Sequence, residues 1–218
     1  MLKNNGLSIV FLGLFLLTMG GQALTGWGEH NEDEQAHGRS AVSFSDYLLT
    51  GHFWEATGEN WESEFLQMAM FVLLTTKLYQ KGSAESKRPD VLEEQDVDPR
   101  RFRDHPDVPG PVRRGGWQLR LYENSLGIAF LALFLVAFVM HAAGGRLEYN
   151  AEQEAHGQAT VTLVQYAGSH RFWFESFQNW QSEFLSLAAM IVGTIFLRQR
   201  GSPESKPVHA PHSETGKG

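Results

Sequence analysis

Apolar and polar positions are segregated into long blocks along this chain. Residues 4–28 and 124–145 contain no charged side chain, and each run exceeds the roughly 18 to 20 apolar residues that span a hydrocarbon core of about 30 Å. These runs predict helices over about 5–26 and 124–145. Two further uncharged runs begin at Phe65 and Phe184 and are shorter. They predict membrane helices only when extended over 61–80 and 180–199, which gives about 30 Å at 1.5 Å per residue. Lys77 and Arg198 then reach the headgroups by snorkelling.

The blocks recur. Asn60-Trp61-Glu62-Ser63-Glu64-Phe65-Leu66 returns as Asn179-Trp180-Gln181-Ser182-Glu183-Phe184-Leu185. Sliding residues 3–87 onto 122–206 needs no gap, and it pairs Leu7 with Leu126, Glu29 with Glu148, Asn31 with Asn150 and Ala36-His37-Gly38 with Ala155-His156-Gly157. The chain therefore reads as two tandem copies. Each copy opens on an apolar helix that ends in small residues, Gly20-Gly21 or Ala142 to Gly145, which permit close helix approach. Ser43-x-x-Asp46 or Thr162-x-x-Gln165 follows, resembling a capping box, the first loosely because Asp stands for Glu or Gln. It predicts a short interfacial helix running to Phe53-Trp54 or Phe172-Trp173. The second long helix then starts at Asn60 or Asn179 as N-cap, anchored by Trp61 or Trp180.

The predicted fold is all-α, an integral membrane bundle of four transmembrane helices from two parallel tandem repeats, with short interfacial helices in the outer loops. The hairpins cover 1–81 and 121–200. A charged linker, 82–120, and a tail, 201–218, hold all eight prolines and too little apolar surface to fold alone. The run Leu7 to Leu24 after Met1-Leu2-Lys3 also fits a secretory leader. The missing Ala-x-Ala cleavage pattern and the mid-chain copy favour a retained helix.

Charge sets the orientation. Of 18 Lys and Arg, Arg39, Arg146 and Arg171 fall in the loops joining first to second long helices. The rest lie near the amino terminus, in the linker and in the tail. The positive-inside rule puts those three regions in the cytoplasm and the acidic loops outside. Since both hairpins have an even number of spans, they share one orientation, a parallel repeat. With no Cys, thiol redox chemistry and Cys-ligated metal sites are excluded.

Candidate chemistry is sparse. Glu64 and Glu183 read as first-turn carboxylates favoured by the helix dipole, or alternatively as ionisable groups below the headgroups facing a bundle interior. His37 and His156 occupy equivalent positions, and with Glu64 and Glu183 they are of the type that a divalent metal accepts. No HExxH motif occurs, and a loop-structuring His-Gly turn is the simpler reading. Haem is not expected, because His141 is matched by Gln22 in the other copy. No cofactor and no nucleic-acid partner are expected.

The pattern of apolar helix, Glu-x-Asn...Ala-His-Gly loop and Asn-Trp-x-Ser-Glu-Phe-Leu helix start resembles an uncharacterised bacterial family of small multi-pass membrane proteins known as a domain of unknown function. The resemblance implies a bacterial plasma-membrane setting and supplies no activity. The expected role is a non-enzymatic membrane component, in contact with the lipid bilayer and a membrane protein partner. A small cation transporter or channel using Glu64 and Glu183 is the first alternative. An envelope-facing metal sensor or enzyme is the second.

Overall fold

The computed structural model describes residues 2–216; Met1, and Lys217 and Gly218 at the end of the tail, lie outside the described residues. Among the described residues there are helices and turns but no strand. The long helices are α1 (Leu2–Ala36), α3 (Gly51–Leu74), α6 (Ser125–Ala155) and α8 (His170–Phe196). Short helices α2 (Phe44–Tyr47) and α7 (Leu163–Ala167) precede α3 and α8. Between α3 and α6 lie two 3-10 turns, Glu94–Asp96 and Pro99–Phe102, then α4 (Gly110–Arg114) and α5 (Gly116–Glu123).

Among the described residues, two helices are long and apolar enough to cross a membrane, Asn4–Ala36 and Ser125–Ala155. Their leucines face outward: Leu7, Leu17, Leu126 and Leu135 are all exposed. The expected four spans are thus reduced to two by length and composition. In α3 the apolar part begins only at Phe65 and the helix ends at Leu74. In α8 it begins at Phe184 and ends at Phe196, and carboxylates and amides occupy the preceding turns.

Both of these helices start earlier than the sequence suggests, at Gly51 and His170 instead of 61 and 180. The reason is a pair of caps: Thr50 Oγ1 accepts from the Phe53 N–H at 3.3 Å, and Ser169 Oγ accepts from the Phe172 N–H at 3.2 Å. Asn60 is consequently inside α3, where its Nδ2 donates to Ala56 O at 2.7 Å. It is not an N-cap, and neither Glu64 nor Glu183 is in a first turn. The caps of α2 and α7 form as expected. Ser43 accepts from the Asp46 N–H, and Thr162 with Gln165 completes a full capping box.

The chain divides into two compact units, Met1–Asn60 with Ala137–Glu175, and Trp61–Val136 with Ser176–Gly218. In the first, Tyr47 packs with Ala23 and Phe53, and Tyr166 with Ala142 and Phe172. The loops are tethered alike. Asn31 donates to Val42 O at 3.1 Å and accepts from the Val42 N–H at 2.7 Å; Asn150 does the same to Val161 at 3.0 and 2.8 Å. Glycines let α3 and α6 touch backbone to backbone: a Cβ at Gly58 would overlap the His141 backbone, and one at Gly144 the Glu55 backbone. Gly20 and Gly21 have nothing within 4 Å of such a Cβ, so of the two glycine pairs Gly20-Gly21 and Gly144-Gly145 only the second serves close packing.

In the second unit, polar side chains join α3 to α8. Gln67 Nε2 donates to Glu183 O at 2.7 Å and Ser186 Oγ at 3.0 Å. Trp180 Nε1 donates to the fully buried Glu62 at 3.1 Å. The buried Lys206 ammonium reaches the carbonyls of Gly82, Pro211, His212 and Glu214 at 2.6 to 3.1 Å, binding the tail to the start of the linker.

Candidate functional site

The four sequence candidates fall into two pairs. The His37 and His156 rings have centroids 6.3 Å apart, and each Nδ1 lies against its own helix, 2.9 Å from Asp33 O and 2.7 Å from Glu152 O. Gly38 and Gly157 follow with φ of +73° and +66°, the left-handed conformation that closes a helix end. The Glu64 and Glu183 carboxyl groups are hydrogen-bonded to one another.

A third group, not singled out by the sequence pattern, has the more developed geometry. Glu55 on α3, His141 on α6 and Glu175 on α8 place their ligand atoms within 4.8 Å of one another. His141 has no exposed surface. Its ring lies on Phe172, with centroids 4.6 Å apart and planes 31° from parallel, and its Nε2 is 3.4 Å from Glu175 Oε2. The Tyr166 hydroxyl spans the two carboxyls, 2.9 Å from Glu55 Oε1 and 3.1 Å from Glu175 Oε2. Arg171 Nε donates to Glu175 Oε1 at 3.0 Å, and the same guanidinium donates to Glu152 at 2.6 Å. Glu175 is thereby fixed at one oxygen and presents the other to His141 and Tyr166.

Of these groups, Glu55, Glu175, Arg171 and Glu152 line a cavity of about 380 Å³. Its other carboxylates are Glu29, Asp33, Glu59 and Glu148, and Arg171 is the sole Lys or Arg in its described lining. A cleft with so large an excess of one sign concentrates counter-ions.

The environment drives the two central carboxyls apart. Burial, and then the charge of Glu175, push Glu55 up to about 7. Glu175 is pushed up by burial as well, but the hydrogen bonds from His141 and Arg171 outweigh this and hold it below the usual range. Burial and the flanking carboxylates Glu55 and Glu175 raise the Tyr166 hydroxyl, so it remains a donor. Arg171 resists its burial through Glu152 and Glu175 and is more firmly charged than usual. Neighbouring carboxyls with separated proton affinities are the arrangement by which proteins hold a proton or a cation at neutral pH.

The first copy does not repeat the cluster. Gly26 lies against Tyr47 Oη as Gly145 does against Tyr166 Oη. Yet Tyr47 Oη pairs with His52 Nδ1 at 3.1 Å, and His52 Nε2 with Glu29 at 3.0 Å. Gln22 stands at the position of His141 and donates to Thr57 at 3.3 Å, while Ala56 stands at that of Glu175. The cluster is therefore absent from the residues shared by both copies, because the copies differ chemically at this place. The available signal was a His in an otherwise apolar helix, 34 positions before a Glu.

No curated protein and no solved structure matches the chain. The family model described as domain of unknown function (DUF6766) matches residues 1–217, and the chain belongs to that family.

Proposed function

We propose that this protein is a multi-pass component of a bacterial plasma membrane, without enzymatic activity of its own, that presents an acidic surface to the outside. The observation carrying this reading is the outward exposure of the apolar side chains of α1 and α6, since a soluble protein rarely displays apolar surface on that scale. In this reading α3 and α8 complete a four-span bundle of two parallel repeats. Their polar amino-terminal halves stand above the hydrocarbon, and their apolar halves cross with local thinning or snorkelling. The sorting of Lys and Arg puts both termini and the linker in the cytoplasm.

Carbonate washing of membranes from expressing cells tests the first part: the protein stays with the membrane and needs detergent for release. Reporter tags at residue 1, within 82–120 and after 218 all read cytoplasmic. Release by carbonate alone, or tags on opposite sides, would overturn the reading.

The hydrogen bond between Glu64 and Glu183 favours one alternative, a cation path. There, E64Q together with E183Q abolishes cation flux in proteoliposomes while the protein stays folded. Flux that is absent from the unaltered protein, or unchanged in the double variant, removes it.

A further inference from the structure

We infer that Glu55, His141 and Glu175 form a binding site for one divalent first-row transition-metal ion, with its remaining coordination positions open to the acidic cavity. This stands apart from the membrane reading, since it depends only on the interior of one unit.

Three features carry it. The donor set is one imidazole and two carboxylates, each from a different helix. Mixed nitrogen and oxygen ligands suit ions such as Zn²⁺ or Mn²⁺, whereas Ca²⁺ takes six to eight oxygens. Second, His141 Nε2 and Glu175 Oε2 are 3.4 Å apart, long for a hydrogen bond. Ligand atoms at about 2.0 to 2.2 Å from a four-coordinate ion stand about 3.3 to 3.6 Å from each other. The separation is that of one edge of a coordination tetrahedron, and Glu55, with ligand atoms inside 4.8 Å, needs only a side-chain adjustment to close the face.

The third feature is hydrogen-bond valence. Tyr166 has one hydroxyl proton and contacts an oxygen of each carboxyl, so it donates to one carboxyl at a time and holds the two oxygens together without neutralising either charge. Arg171, the Lys or Arg of the described cavity lining, is already committed to Glu152 and to the far oxygen of Glu175. It orients Glu175 as a hydrogen-bonded neighbour orients a ligating carboxylate. Three protein ligands leave at least one coordination position for water or an exchangeable ligand, as in metal sites that are open to solvent. That position faces a cavity with room for such a ligand, about 380 Å³.

The test uses the full chain, purified in detergent through a tag without histidines, stripped with chelator and titrated separately with Zn²⁺ and Mn²⁺. Calorimetry and elemental analysis give one ion per chain, and bound Mn²⁺ loses its free-ion paramagnetic resonance signal. E55Q and H141Q, the latter copying the residue at position 22, each weaken binding at least tenfold, and together they abolish it. E64Q binds as the unaltered chain does. Should H141Q fail to fold by circular dichroism, E55Q alone decides. Absence of binding, or binding unchanged in folded E55Q, overturns the inference. So does binding lost only when His37 and His156 are replaced by Ala, which would move the ion to that exposed pair.

Discussion

The hydroxyl of Tyr166 occupies the space that a side chain at residue 145 would need: a Cβ at Gly145 would overlap Tyr166 Oη and stand 2.7 Å from Glu55 Oε1. That glycine is what lets a tyrosine from α7 reach over α6 to the carboxyls. G145A therefore forces Tyr166 and Glu55 aside and costs about 1 to 3 kcal/mol, the usual range for overpacking. G20A, where nothing lies within 4 Å, is neutral or gains up to about 1 kcal/mol through helix propensity. Thermal unfolding of the two variants in the same detergent checks the contrast. Equal melting temperatures would contradict it.

Asn31 and Asn150 each close a two-bond ring on a valine eleven residues ahead. Replacing either by Ala leaves a half-buried N–H and C=O without their partner, at about 1 to 3 kcal/mol. Because the two rings share no residue, the double variant should lose the sum to within about 0.5 kcal/mol. Hydrogen exchange reads the effect locally: the Val161 amide loses protection in N150A while the Val42 amide keeps it.

Lys206 is 1% exposed, and its three ammonium protons serve four carbonyls. K206M keeps the chain length and removes every one of these donors, which leaves the bonds from the Gly82 N–H to Thr215 Oγ1 and from the Gly216 N–H to Ser83 O as the tail's ties to the start of the linker. Proteinase K should then cleave the tail of the variant before the rest of the chain, seen by mass spectrometry, at enzyme levels that leave the original tail intact. Cleavage at equal rates would show that the ammonium is not the fastening.

Burial, and then the charges of Glu29 and Glu148, push the Tyr47 hydroxyl up to about 12. A group whose proton is held more tightly in the folded state stabilises fully below its unfolded value, near 10, and that stability is lost as pH climbs through about 12. Absorbance at 295 nm should show a late ionisation step from Tyr47 and Tyr166, together with unfolding. Y47F removes part of that late step. Absence of that late step, with Tyr47 and Tyr166 ionised while helicity is intact, would refute this.

The sequence by itself determined the parts that depend on neighbours along the chain. Uncharged runs made α1 and α6 legible, because a helix that long and apolar is specified residue by residue. Ser43 and Thr162 announced their caps because capping is a contact across three positions. Asn60 misled because a good capping residue can also bond inside a helix, and only Thr50 and Ser169, folded back on the next turn, decide where α3 and α8 begin. Glu55, His141 and Glu175 stand far apart in the chain and obey no local period. What gathers them is the close passage of α3 over α6 at Gly58 and Gly144, a matter of backbone distance. That proximity is a property of packing, and no spacing along the sequence encodes it.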